Sequence, residues 1–289
     1  IHDSDRTLVM GVLNITEDSF SDGGLWLDPA NAKAHGEAMM KDGADIIDIG
    51  AESTRPGAKR VSEEDEQNRV LDALIPEGAV LSIDTTRASV ARMALEHGAQ
   101  IINDVSGGQL DREVPHVVAE HAESLYIVQH WRGWLAGSAG DVPDADTSVY
   151  ANGVVDDVYD ELMKQVDDVL QAGVSPSQIG RASGREIIDP GLGFSKPSVE
   201  HNFPLMVALG RFNATGYPVL IGASRKRFVG AALADAGIDE PDMDSKDNAT
   251  AAISALCAEH GVWAVRVHDV AKSRDAVAIG NAWRAFANA

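Results

Sequence analysis

Cysteine is almost absent: there is one, Cys257, in 289 residues. A lone thiol cannot form an internal disulfide, so the fold must hold without covalent cross-links, and a reducing compartment is expected. Cys257 lies in the apolar helical run AISALCAEHG, where a buried structural thiol fits better than a nucleophile. Aromatic residues are scarce too, at 5% against an apolar total of 44%, so Val, Ile, Leu and Ala must pack the core. No apolar stretch reaches the ~20 residues that cross a bilayer, which argues against a membrane partner. No charged n-region followed by an apolar h-region opens the chain, and a cytoplasmic location is the resulting expectation. Basic residues number 24 against 45 acidic ones, for a formal net charge of −21. Such a field repels phosphate backbones, so no nucleic-acid partner is expected. It repels small anions at long range as well, so an anionic ligand needs its positive partners gathered in one place.

Several signatures are missing. There is no G-x4-G-K-[ST] loop, no H-E-x-x-H, no Cys/His cluster and no G-x-S-x-G elbow. The run GLGFSK (191–196) begins like a dinucleotide fingerprint but lacks its third glycine.

Eight short apolar runs of strand character are present: LVMGVL (8–13), DIIDIG (45–50), AVLSI (79–83), QIIND (100–104), SLYIVQ (124–129), EIIDP (186–190), PVLIG (218–222) and WAVRV (263–267). Segments with helical periodicity separate them. The clearest spans 151–172, where Val154, Val158, Leu162, Val166 and Val169 share a face. Others begin near Pro29, Glu63, Ala88, Arg112, Val199, Arg225 and Val270. Eight strand–helix units predict a parallel sheet closed into a (β/α)8 barrel, a single domain over 1–289, with a doubly wound open sheet as the alternative. The Gly- and Ser-rich stretches 16–24 and 52–60, after strands one and two, are expected to be mobile loops.

Barrel enzymes carry their chemistry at the carboxyl ends of the strands. Those ends here supply Asn14, Asp84, Asn103, Asp189, the trio Ser224, Arg225 and Lys226, and the pair Arg266 and His268. Any one Asp or Asn there could simply cap a helix or make a turn. Six ends of eight doing so is harder to assign to capping. Arg266 and His268 alternate on strand eight and so face the same way, as a phosphate or diphosphate site would require. The competing reading of Arg266 is a salt bridge to a neighbouring barrel carboxylate. Ser224, Arg225 and Lys226 open the next helix, whose free N–H groups favour an anion. Asp84, Asn103 and Asp189 offer acceptors and an amide on the barrel floor, suited to a flat heterocycle with several N–H groups. Strand-end polar groups of this kind are expected to matter little for folding.

Seven segments together resemble the dihydropteroate synthase family: GVLNITEDSFSDGG (11–24), DIIDIGAESTRPGA (45–58), SIDTTRA (82–88), INDVSGG (102–108), DPGLGF (189–194), GASRKRF (222–228) and VRVHDV (265–270). They run from strand one to strand eight. The resemblance implies that a dihydropterin methyl diphosphate loses diphosphate to the amine of p-aminobenzoate, with Mg2+. It implies that Asp84, Asn103, Asp189 and Lys226 bind the pterin. Asn14, Arg266 and His268 would meet the diphosphate and the metal, with Thr54 reaching in from the second loop. Ser224 would serve the aminobenzoate carboxylate, and Phe20, Arg55 and Pro56 would cover its ring. A homodimer through the late helices is implied as well, and the Ala-rich stretch 249–258 could pack closely. An aromatic amine is nucleophilic when neutral, which agrees with the lack of a Ser-His or Cys-His motif.

The chain departs from the family pattern at Glu17, where proline is usual, and at Ala51, where glycine is usual. Gln129 stands where a Met often faces the pterin, and the segment after Lys196 is one residue longer, leaving that helix entry open. Two other functions compete: a pterin-dependent methyltransferase, which shares the barrel, and a non-catalytic pterin-binding paralogue. The first gives no role to the Ser-Arg-Lys group, and the second no reason to keep Asn14, Lys226, Arg266 and His268.

Overall fold

The computed structural model describes residues 6–16, 28–52, 60–73, 78–132, 146–175 and 187–287. The two stretches expected to be mobile fall mainly outside this set, and with them Glu17, Phe20, Thr54, Arg55 and Pro56. The base of the second stretch is described, and there Glu52 accepts hydrogen bonds from Arg60 Nε at 2.8 Å and Val61 N at 3.1 Å.

Eight parallel strands form one sheet: β1 (Leu8–Asn14), β2 (Ile46–Gly50), β3 (Val80–Asp84), β4 (Ile101–Asp104), β5 (Leu125–Gln129), β6 (Ile188–Asp189), β7 (Leu220–Ile221) and β8 (Ala264–Val267). Their order is β6-β5-β4-β3-β2-β1-β8-β7. The two ends meet through the parallel bridge Ile188↔Val219, with Ile188 N donating to Pro218 O at 2.8 Å. That bridge bends the sheet into a barrel and excludes the open doubly wound alternative.

The alternation of side chains across each strand makes two cores. Inward-facing Leu8, Met10, Ile46, Ile101, Leu125, Ile127 and Leu220 fill the barrel interior with Trp263. Outward-facing Val9, Ile47, Ile49, Ile83, Ile102, Val128 and Val265 meet the helices. Both sets are mainly aliphatic, as the low aromatic content requires.

Among the described residues the helices are α1 (Pro29–Lys41), α2 (Glu63–Ala73), α3 (Ala88–Glu96), α4 (Glu113–Glu120), α5 (Val154–Gln171), α6 (Val199–Val207), α7 (Leu209–Asn213), α8 (Arg227–Asp235), α9 (Met243–Glu259) and α10 (Val270–Ala287). Asp28 caps α1, accepting from Ala30 N at 2.9 Å and Asn31 N at 3.2 Å, with Pro29 in the first turn. On α5, Val158, Leu162, Val166 and Val169 are buried as their spacing predicts, and Val154 at its start is half-buried against the same core. The pattern of one helix per strand fails after β6, where α6 and short α7 follow, and after β7, where α9 is a helix of its own. Gly237, at φ +85°, ends the turn after α8, and Asp242 starts α9 by accepting from Ser245 N at 2.8 Å. The entry to α6 is settled by buried Asn202, which accepts from Gly193 N at 2.7 Å and donates to Lys196 O at 2.8 Å and Ser198 O at 2.7 Å.

The Ala-rich stretch packs closely, but against α10 of its own chain. A Cβ added to Gly280 would lie 2.2 Å from Ala255 O and 2.8 Å from Ala258 Cβ. Among the described residues no helix is long and apolar enough to cross a membrane.

Candidate active site

Strand register puts three of the expected residues on one level, with Gly50 between the first two. Asn14 lies beside Gly50, Gly50 beside Asp84, and Asp84 beside Asn103. Gly50 keeps this level open: a Cβ there would stand 3.4 Å from Asn14 Oδ1 and 3.7 Å from Asp84 Oδ2. One step deeper, Asp48 lies between Val12 and Ser82. Its parity matches that of Ile46, so it points inward.

Arg266 joins the two levels. Its Nε donates to Asp48 Oδ2 at 2.6 Å and its Nη2 to Asp84 Oδ2 at 2.8 Å. Asn103 Nδ2 adds a third donor to this floor, reaching Asp48 Oδ2 at 3.1 Å. The carboxylate contact that competes for Arg266 in the sequence is therefore made. Burial works against the guanidinium charge, yet Asp48 and Asp84 hold its pKa above the ordinary value. Burial drives the Asp84 carboxyl up to about 7, with Arg266 opposing and Asp48 adding to the rise.

The floor is under-satisfied. Asp48 Oδ1, Ser82 Oγ, Asp84 Oδ1 and Asn103 Oδ1 are buried and make no hydrogen bond. An unmet buried polar atom costs about 1–3 kcal/mol, and four of them on neighbouring strands call for a ligand rich in N–H groups.

Lys226 borders the floor. Its Nζ donates to Leu192 O and lies 4.9 Å from the centre of the Phe194 ring. Burial lowers its pKa to about 8, with Asp189 opposing. Asp189 ends β6, is itself raised by burial, and accepts from Gly191 N at 2.7 Å. The loop between β6 and α6 is thus wrapped around two opposite charges. It is also pressed against β5: a Cβ on Gly191, at φ +69°, would sit 2.4 Å from His130 O.

The Ser-Arg-Lys trio divides. Ser224 Oγ is 2.9 Å from His268 Nδ1 and accepts from His268 N at 3.2 Å, tying β7 to β8. Arg225 forms a two-pronged pair with Asp247 at 2.8 and 2.9 Å, so α9 takes its guanidinium. Lys226 reaches the β6–α6 loop. Gln129 lies beside Asp189 in register and donates to Val105 O at 3.3 Å, so its amide is occupied within the wall.

Two features of the site do not follow from strand ends and motifs. Asp48 is visible in the sequence as an acid with inward parity, but it sits in the middle of an apolar strand rather than at its end. The second is a support beneath the site: Thr85 Oγ1 donates to buried Glu66 at 2.6 Å, Arg87 bonds both Glu66 and Glu52, and Arg60 bridges Glu52 and Thr86. These charges lie on the β2–α2 connection, α2 and the β3–α3 turn, and spacing alone cannot join them.

The match to known proteins agrees with this arrangement. Residues 10–268 match the family described as pterin binding enzyme. The dihydropteroate synthase of Mycobacterium leprae is 47% identical over 278 residues, covering 95% of this chain and 93% of that protein. The chain belongs to the dihydropteroate synthases, transferases of folate biosynthesis. Among solved dihydropteroate synthases, that of Yersinia pestis with a sulfonamide drug complex superposes with a TM-score of 0.83 at 31% identity, over 97% of this chain and 95% of that one. The Xanthomonas albilineans enzyme with 4-aminobenzoic acid gives a TM-score of 0.81 at 33% identity, over 97% and 94%. The barrel expected from the strand pattern is the fold of this dihydropteroate synthase family.

Proposed function

We propose that residues 1–289 form one catalytic barrel that condenses 6-hydroxymethyl-7,8-dihydropterin diphosphate with p-aminobenzoate to give 7,8-dihydropteroate and diphosphate. The bare acceptors Asp48 Oδ1, Ser82 Oγ, Asp84 Oδ1 and Asn103 Oδ1 carry this reading. A pterin edge presents amino and ring N–H donors in one plane, and these acceptors are inward-facing groups at one end of the barrel. Asp84, Asn103 and Asp189 bind the heterocycle, and the Lys226 ammonium meets its carbonyl. The methyltransferase alternative needs no cation at the rim, whereas Lys226 stands there.

In the reaction the amine nitrogen forms a bond to the pterin methylene as the bond from that carbon to the diphosphate oxygen breaks. The electron pair leaves with the diphosphate, and the amine gives up a proton. Arg266 and His268 face the departing charge, and Asp84 favours the positive charge that develops at the methylene. Ser224 serves the aminobenzoate carboxylate, and Thr54, Arg55, Phe20 and Pro56 complete the site from the two loops. Asn14 offers a hard amide oxygen next to Asp84, which fits Mg2+ held partly by substrate phosphates. Bound there, Mg2+ would neutralise phosphate charge.

Ile279, Trp283 and Phe286 project from one face of α10 with Leu256 of α9 beside them, all at least 62% exposed. This apolar face supports a homodimer of the chain. A single buried thiol supports a cytoplasmic setting. Production of diphosphate and dihydropteroate from the two purified substrates tests the reaction.

A further inference from the structure

Lys196 is 1% exposed, and its ammonium touches no carboxylate among the described residues. Its Nζ lies 2.9 Å from His130 Nδ1, 3.0 Å from Gly191 O and 3.0 Å from Phe194 O. An ammonium has three donors, and these three acceptors use them all. The proton on neutral His130 then belongs on Nε2, which points 3.0 Å from Glu161 Oε2. Glu161 is closed off in turn by Arg132, whose Nε donates to it at 2.7 Å. Charge agrees with this order. Burial, with Lys196 adding to it, lowers the His130 pKa to about 4, so the ring is neutral and can accept. Against the penalty of burial, Arg132 and His130 keep Glu161 ionised, at about 2.

The two carbonyls that Lys196 holds bracket the residues that grip Lys226. Leu192 O accepts from Lys226 Nζ, and the Phe194 ring lies beneath the same ammonium. A Cβ on Gly193 would come within 3.0 Å of Lys226 Cδ, so this backbone also walls the lysine stem. Burial lowers the Lys196 pKa to about 7, against the pull of Asp189. Burying an ammonium with no carboxylate in contact is costly, and stability alone would be served better by an apolar side chain there. We propose that Lys196 is a positioning residue for substrate binding, fixing the Gly191 and Phe194 carbonyls so that the loop aims Lys226 at the pterin. The proposal rests on Lys226 meeting the pterin, as set out above.

A double-mutant cycle tests it, read as the calorimetric dissociation constant for the pterin diphosphate. Lys196→Met should weaken binding about tenfold in the native background, within the coupling range of neighbouring residues. In a Lys226→Met background the same change should move affinity less than about twofold, because the ammonium it served is gone. A general loss of structure would instead multiply through both backgrounds. Multiplying factors, or an unchanged affinity in folded Lys196→Met, would overturn the role of Lys196 alone. Normal binding by Lys226→Met would overturn both that role and the pterin contact of Lys226. If Lys196→Met does not fold, Lys196→Gln, which keeps two donors, replaces it in the cycle, and the same results support or overturn the role.

Discussion

At the scale of single residues, Arg266 carries two roles that a substitution would expose together. Strand-end polarity suggests a side chain dispensable for folding, yet the guanidinium neutralises two buried carboxylates, Asp48 and Asp84. Removing one member of a buried pair typically costs about 3–5 kcal/mol. Arg266→Ala should therefore lose stability of that order in urea denaturation, as well as about a hundredfold in turnover. Full stability would mean that Asp48 and Asp84 share a proton and do not need the cation. Lys226 makes a prediction in pH. Its pKa lies at about 8, down from 10.5, so the free protein loses this proton early and ligand binding must restore it. Below about pH 7 protonation of Asp84 removes an acceptor. Above about pH 8 affinity for the pterin diphosphate should fall about tenfold per unit. Calorimetry from about pH 6.5 to about 9.5, roughly one and a half units either side of that pKa, reads this limb. Lys226→Met should abolish it, and a limb that persists in Lys226→Met belongs to another group.

At the scale of elements, the strands and their inward residues are legible because alternation survives even in buried parallel strands when polar groups must line a site. Asn14, Asp84, Asn103, Asp189, Arg266 and His268 can be placed from parity and strand ends alone. What stays hidden is pairing between distant segments, such as Arg266 with Asp48 across 218 positions or Arg225 with Asp247 on a helix that periodicity does not separate. The α9–α10 crossing shows the same limit. Composition reveals an Ala-rich helix, but its partner becomes clear only from Gly280, whose missing Cβ lets α10 approach Ala255 and Ala258. Gly280→Ala should force the helices apart and cost about 1–3 kcal/mol, the usual range for overpacking. A melting temperature equal to or above that of the parent would contradict the close crossing, since alanine is otherwise the better helix former.

At the scale of the whole molecule, the site gathers Lys226, Arg266 and His268 in a chain of net charge −21. That concentration is what an anionic substrate requires from an acidic protein. The apolar face of α10 adds a prediction about assembly: the parent should sediment as a dimer, and Trp283→Glu, at a side chain 68% exposed, should shift it toward monomer while leaving the barrel folded. An unchanged sedimentation coefficient would assign that face to another partner. The central claim is that the unmet acceptors of the floor hold a pterin while Arg266 and His268 face its diphosphate during a substitution at the methylene. Diphosphate release, followed after mixing the pterin diphosphate with the enzyme and Mg2+, tests this most directly. The account predicts release that depends on added p-aminobenzoate and matches dihydropteroate formed one for one. Binding of the pterin with no release in the presence of p-aminobenzoate would contradict it, and the barrel would then be a pterin carrier.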